Sequence, residues 1–327
     1  WVTVLLLSWL VTCAISLWTS RAADEQDLPS LPQIAADLPF IGCKAVSYIR
    51  IQKTGSSTMA ENIMPMMTKE YNQIQGTFGH VEYRRAMTIS PNCTITILRD
   101  PVERFASEFN HARSNDKAAC FQDQWDWHEV DFDFLNKTER MTSREEALLR
   151  YLRYKWNPTR NRQALYLLGF ARVRCRKGCC KKYGCTESEP FGYPALAYDW
   201  SQRADELLAR AKRHLTKLRA FMITDCYSQS IAPLAKAMGW DEQKAVKMAK
   251  DIHARQVRNR TTLEALGRAF GADPLALAKA EYATPTWSSM LPSPLLQEIR
   301  EVNAVDVQLV AFAKQLLWQR HGISCKL

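Results

Sequence analysis

Residues 49–58 read Ile49-Arg50-Ile51-Gln52-Lys53-Thr54-Gly55-Ser56-Ser57-Thr58. The segment leading in, Ala45 to Ile51, alternates in polarity and carries β-branched residues, so it predicts a strand. Beyond Lys53 come Gly, Ser and Thr, then a Met- and Ala-containing run suited to a helix. A strand that turns through small residues into a helix N-terminus aims several backbone N–H groups at one point. The helix dipole adds partial positive charge there, which makes a seat for phosphate or sulfate. Lys53 supplies a full charge beside it. The segment is not a Walker A loop, in which the lysine follows the second glycine; here Lys53 precedes Gly55. On its own it fits an ordinary capped strand–helix turn equally well.

A second segment, Cys93-Thr94-Ile95-Thr96-Ile97-Leu98-Arg99-Asp100-Pro101-Val102-Glu103-Arg104-Phe105-Ala106-Ser107-Glu108-Phe109-Asn110-His111, repeats the arrangement. Thr94 to Leu98 predicts a short apolar strand. Pro101 suits the first turn of a helix, with Asp100 before it as N-cap. Arg104, Ser107 and His111 follow at three- and four-residue spacing and so share a helix face. Arg99 ends the strand, where open α/β sheets bind ligands. Two strand-to-helix crossings with anion-binding groups point to a ligand carrying two separate phosphates.

The pair "RIQKTGSST" and "ILRDPVERFASEFNHA" resembles the two nucleotide-binding motifs of Golgi carbohydrate sulfotransferases, which use 3′-phosphoadenosine 5′-phosphosulfate (PAPS). The heparan sulfate 6-O- and 2-O-sulfotransferases share the Arg-Asp-Pro…Arg…Ser-Glu…His pattern. Looser similarity occurs at Asn161-Arg162-Gln163, at Leu207 to Lys212, at Phe221 to Thr224 and at Val302 to Asp306. The resemblance implies an α/β fold with a P-loop-like central parallel sheet flanked by helices. It also implies a single catalytic domain with helical additions. It assigns Lys53 and the amides of Thr54, Gly55, Ser56, Ser57 and Thr58 to the 5′-phosphosulfate, and Arg99 and Ser107 to the 3′-phosphate. Arginine suits that role because its rigid fork matches phosphate oxygens. A 3′-phosphate distinguishes PAPS from ATP, so a second anion site argues against a kinase.

Sulfuryl transfer needs a base for the acceptor hydroxyl. The chain has six histidines. His80, in Gly76-Thr77-Phe78-Gly79-His80-Val81, lies between the two motifs, where the resemblance places the catalytic histidine. Histidine suits the task because its ordinary pKa is near neutrality. His111 is the rival, but as a helix-face neighbour of Ser107 it better suits a structural or nucleotide-adjacent place. The implied mechanism is in-line displacement, with His80 as base and Lys53 stabilising the leaving phosphate. That scheme requires no metal, and no metal-ligand spacing occurs near the motifs.

The chain has 327 residues and a formal net charge of +10. The excess favours polyanionic partners in general: nucleic acid, anionic lipid or acidic glycan. The resemblance selects an anionic polysaccharide acceptor, heparan-sulfate-like, and no nucleic acid. Residues 1–18 are almost wholly apolar, with Trp1 and Trp18 at the ends. They are just long enough to span a bilayer. We read them as the signal-anchor of a single-pass type II Golgi membrane protein with a lumenal catalytic domain. A cleaved signal peptide is the alternative, because Ser20-Arg21-Ala22 resembles a cleavage site.

Cysteine use fits an oxidising compartment. Of ten cysteines, nine lie outside the apolar segment, an odd number that leaves at least one thiol free or intermolecular. Four of them cluster between Cys175 and Cys185, where a disulfide-stapled loop is favoured over a zinc knot. Asn92, Asn136 and Asn259 head glycosylation sequons.

Residues 19–42 carry acidic residues and prolines and read as a stem, so the sulfotransferase domain spans 43–327. Residues 114–140 are polar and aromatic, a candidate acceptor-facing loop or a satellite hydrophobic cluster. Residues 172–182 hold six basic residues suited to an anionic glycan or to solvent. A helix is expected over 201–219, a strand over Ala220 to Thr224 and a helical insertion over 240–284. A terminal helix is expected from Pro292-Ser293-Pro294 to about Arg320. Two other functions compete: a nucleotide-dependent kinase using the same loop, and a non-catalytic glycan-binding relative.

Overall fold

The computed structural model describes residues 42–77, 80–114, 144–153, 159–169, 193–258 and 287–325. The apolar segment 1–18 and nearly all of the stem lie outside these residues. So do most of the 114–140 loop, the basic and cysteine-rich stretch 172–185, sequons Asn136 and Asn259, and insertion residues 259–284.

The elements in chain order begin with β1 (Ala45–Ile49), then a π-helical turn (Thr58–Ile63) continuous with α1 (Met64–Glu70), and β2 (Ile74–Gln75). Next come α2 (Tyr83–Ile89), β3 (Thr94–Leu98), α3 (Pro101–Ser114), α4 (Arg144–Arg153) and α5 (Arg162–Leu168). They are followed by α6 (Tyr193–Lys217), β4 (Ala220–Ile223), α7 (Tyr227–Met238) and α8 (Glu242–Arg258). The last described helices are α9 (Trp287–Met290), α10 (Ser293–Val302) and α11 (Ala304–His321).

The molecule is α/β, with a four-stranded, all-parallel sheet in the order β2-β1-β3-β4. Register pairs Ser47 with Thr94 and Ile95 with Ala220. Both faces of the sheet are covered, so β1, β3 and β4 are buried almost throughout, while the short edge strand β2 stays exposed at Ile74. Side-chain alternation divides them between two cores. Ile49, Leu98, Phe221 and Ile223 pack with α2, α5, α6 and α11. Tyr48, Ile95, Ile97 and Met222 pack with α1, α7 and α8 on the other side. A third cluster joins α3 and α4 to α9 and α10 through Phe105, Phe109, Tyr151 and Ile299.

Two disulfides brace the sheet from opposite ends. Cys43–Cys93 links the entries of β1 and β3, and Cys226–Cys325 ties the exit of β4 to the tail after α11. Closing loops of 50 and 99 residues restrains the unfolded chain by on the order of 4 kcal/mol each. Asn92, beside Cys93, is exposed.

Some boundaries depart from the sequence reading. The expected terminal helix is two helices, broken at Asn303, whose side chain leaves the helical path to serve a partner elsewhere. Its Oδ1 accepts from Asn161 N at 3.0 Å and its Nδ2 donates to Ile299 O at 2.9 Å. The 201–219 helix starts earlier, at Tyr193, and kinks at Arg203. Strand β2 and helix α2 have no counterpart in the sequence reading. The 240–284 insertion begins as helix α8, after Gly239 closes α7 in the left-handed conformation.

Candidate functional site

In a parallel sheet of order 2-1-3-4, the chain leaves β1 toward one side for β2 and then crosses to the other for β3. Ligands in open α/β sheets bind at this switch point, outside the carboxyl ends of the two strands. Lys53 follows β1 and Arg99 follows β3 at that edge.

The loop after β1 is held open and strained. Lys53 has φ 61° and Gly55 φ 77°, both left-handed. Glycine adopts this conformation freely, whereas a lysine does so at a cost typical of functional sites. Buried Thr54 donates its hydroxyl to Ile51 O at 3.0 Å, closing the turn. Ser56 is buried, Ser57 is exposed and Thr58 half-buried as the helix begins. Gln52 is fully buried, and among the described residues neither of its amide atoms has a hydrogen-bond partner. Leaving such a group unpaired costs about 1–3 kcal/mol.

Arg99 is clamped from behind. The Gln163 amide accepts from Arg99 N and donates to Arg99 O, both at 2.9 Å. The guanidinium donates to Lys53 O at 3.0 Å, pairs with Glu103 at 3.5 Å and stays 22 % exposed. Burial lowers its pKa, with Glu103 and Asp225 opposing. Lys53 is lowered to about 8, chiefly by burial; Glu108 opposes the shift and Arg99 adds to it. The Arg99 charge thus disfavours that of Lys53 at the sheet edge, an effect that a bound anion would oppose.

His80 reaches this edge by a ladder along β1. Gly76 N donates to Val46 O at 2.8 Å. Thr77 Oγ1 accepts from Tyr48 N at 2.7 Å and donates to Tyr48 O at 3.2 Å. His80 Nδ1 lies 2.9 Å from Arg50 O. Alternate residues 46, 48 and 50 therefore guide the segment beside β1. Gly76 is needed for the approach, since a Cβ there would meet Ile89 Cγ2 at 2.8 Å. A carbonyl only accepts, so His80 Nδ1 carries the hydrogen and Nε2 is the basic nitrogen of the neutral ring. Burial lowers its pKa to about 4; the Arg50 carbonyl opposes this, while Arg50, Arg162 and Lys53 add to it. The ring is neutral at physiological pH.

Behind this edge lies a buried ionic cluster that joins the looser sequence similarities. Arg104, Glu108, Arg162 and Asp306 are all fully buried. Arg104 pairs with Glu108 and, at 3.9 Å, with Asp306; Arg162 reaches Glu108 at 3.2 Å. Asp306 accepts from the α5 amides of Gln163 and Ala164 at 3.1 and 2.8 Å. Asn161 Oδ1 accepts from Val305 N and Asp306 N, both at 3.1 Å, so α5 and α11 cap each other. Asn161–Gln163 and Val302–Asp306, far apart in sequence, form one support for Arg99.

The structure thus brings Lys53, Thr54 to Thr58, Arg99 and His80 to one sheet edge. Ser107 lies half-buried on α3, two turns in from Arg99. Arg104, one of the three residues placed on a common face by spacing, is fully buried in the protein. The His111 side chain lies outside the described ones. Asp100 caps α3 as expected, accepting from Val102 N and Glu103 N at 2.9 and 3.1 Å. Among the described residues no group of three or more His, Cys, Asp or Glu side chains is assembled to hold a metal.

Three contributors were given no role by the sequence reading, although each lies in a segment it singled out. Arg50 orients His80 through its carbonyl and reaches Ser57 at 3.3 Å and Glu61 at 2.6 Å through its guanidinium. Gln163 locks the Arg99 backbone. Thr224 donates to Thr54 O at 2.7 Å from the end of β4. Only Thr224 had a physical signal, its place at the carboxyl end of an expected strand.

No family model and no curated protein matches this chain. The geometry therefore stands as the ground for a functional reading.

Proposed function

We propose that this chain is a PAPS-dependent carbohydrate O-sulfotransferase of P-loop-like architecture. The observation that carries the reading is the meeting of the Lys53 loop, Arg99 and His80 at the β1/β3 switch point. Lys53 and the loop amides hold the 5′-phosphosulfate, and Arg99, with Ser107, the 3′-phosphate. His80 Nε2 takes the proton of an acceptor hydroxyl whose oxygen attacks sulfur. The bond from sulfur to the 5′-phosphate oxygen breaks in line, leaving a sulfate ester and adenosine 3′,5′-bisphosphate. Lys53 neutralises the charge that grows on the departing phosphate. A bound anion raises the His80 pKa from its low value toward neutrality, where a base works best.

The acceptor in this reading is an anionic polysaccharide of the heparan sulfate type, matched to the net positive chain. The two disulfides fit an oxidising compartment, hence a lumenal Golgi enzyme held by the N-terminal segment.

Lys53→Ala and His80→Ala should each reduce transfer from labelled PAPS to desulfated heparan by at least about 10²-fold while leaving the fold intact by circular dichroism. Full activity in both variants would sink the assignment. Thermal stabilisation by ATP in place of adenosine 3′,5′-bisphosphate would favour a kinase. Heparin binding without any nucleotide response would favour a non-catalytic glycan binder.

A further inference from the structure

The short turn after β4 joins the two halves of the site. Thr224 Oγ1 lies 2.7 Å from Thr54 O, inside the Lys53 loop, and 3.1 Å from Leu98 O, one residue before Arg99. One hydroxyl proton is thus shared by the two backbones that present the two anion-binding groups. The Thr224 side chain also backs the loop's sharpest bend, since a Cβ added at Gly55 would lie 3.7 Å from its Oγ1 and Cγ2. The turn itself is anchored elsewhere. Asp225 pairs with Lys314 of α11 at 2.9 Å, and Cys226 is disulfide-bonded to Cys325. Arg99 also ties the halves together by donating to Lys53 O, but that bond engages the guanidinium a ligand would need. Thr224 holds the spacing with a group that no ligand requires.

We infer that Thr224 is a positioning residue that sets the separation between the Lys53 loop and Arg99. It thereby makes the site selective for a ligand with two separated anionic groups over one with a single group. The inference rests on the donor reading above. Because both acceptors are backbone carbonyls, only the hydroxyl matters to the bridge, and serine should replace threonine.

The test is calorimetric titration of the full chain and its Thr224→Val and Thr224→Ser variants with adenosine 3′,5′-bisphosphate and with AMP. The wild type should prefer the bisphosphate. Thr224→Val should weaken bisphosphate binding by about tenfold with less than a threefold change for AMP, and Thr224→Ser should behave as wild type. If the valine variant fails to fold, Thr224→Ala removes the same donor while its smaller side chain lets water reach the Thr54 carbonyl. Unchanged bisphosphate preference without the hydroxyl, or equal loss of both nucleotides, overturns this inference alone. A wild type that binds neither nucleotide overturns the donor reading, and this inference with it.

Discussion

Arg99 and Arg104 stand five residues apart at the start of one helix, yet they belong to opposite kinds of environment. Arg99 remains partly in water, with Glu103 at 3.5 Å, the charges of Asp225 and Asp100 also acting on it, and the Lys53 loop at the same edge. Arg104 is fully buried among matched charges, with Glu108, Asp306 and Arg162 completing a cluster of two cations and two anions. The first region is partly open to water; the second is fully buried and closed to it. A buried charge with a partner is tolerated, and removing the partner leaves the remaining charge stranded. Arg99 at its strand end keeps contact with water, whereas Arg104 is sealed from it.

That contrast can be broken or sharpened by substitution. Arg104→Met should cost about 3–5 kcal/mol of stability in urea unfolding, because Asp306 loses its paired cation and Glu108 keeps only Arg162. A loss below about 1 kcal/mol would show that the cluster is not the closed system described. Arg99→Met should leave the urea midpoint nearly unchanged but weaken adenosine 3′,5′-bisphosphate binding by roughly 10–100-fold, the worth of charge-assisted bonds. If it instead unfolded the protein without selectively affecting binding, the two arginines would have to exchange roles.

Lys53 provides a pH test of the open region. Its pKa is about 8 in the folded protein, against an ordinary 10.5. Between those values the unfolded chain binds more protons than the folded one, so this group's contribution to stability rises with pH. An anion favours the charged form, so bisphosphate affinity should fall as pH climbs above about 8, by up to about tenfold per unit. Proton uptake on binding should appear in calorimetry run in buffers of different ionisation enthalpy. The dependence should vanish in Lys53→Arg, and its persistence there would remove Lys53 from the phosphate site. The smallest effect belongs to the exposed Arg153–Glu298 pair, 2.7 Å apart. Arg153→Ala should leave the urea midpoint where it is, since solvent screens such pairs.

Much of the open region was legible in sequence, because its signals are local. A strand, a glycine turn and a lysine lie within ten residues, and Asp100-Pro101 marks a helix start wherever it occurs. The closed region was not legible in the same way. Helical spacing put Arg104 on a face with Ser107, but spacing cannot say which face is buried. The break at Asn303 was invisible because its partner Asn161 lies 142 residues away. The Gln163 clamp on Arg99 spans 64 residues and the Thr224 bridge to Thr54 spans 170. The clamp leaves no local trace, and the bridge leaves only the place of Thr224 at the end of an expected strand.

The sequence by itself determined the strand–turn–helix units and the basic residues at their ends, since each follows from propensity and charge over a few positions. Tertiary structure alone decided that β1 and β3 are neighbours in a 2-1-3-4 sheet, that His80 is carried alongside β1 to Arg50, and that Arg104 faces inward. Those outcomes depend on which distant backbone groups and charges become partners when water is excluded, and partnership of that kind is a property of the packed chain.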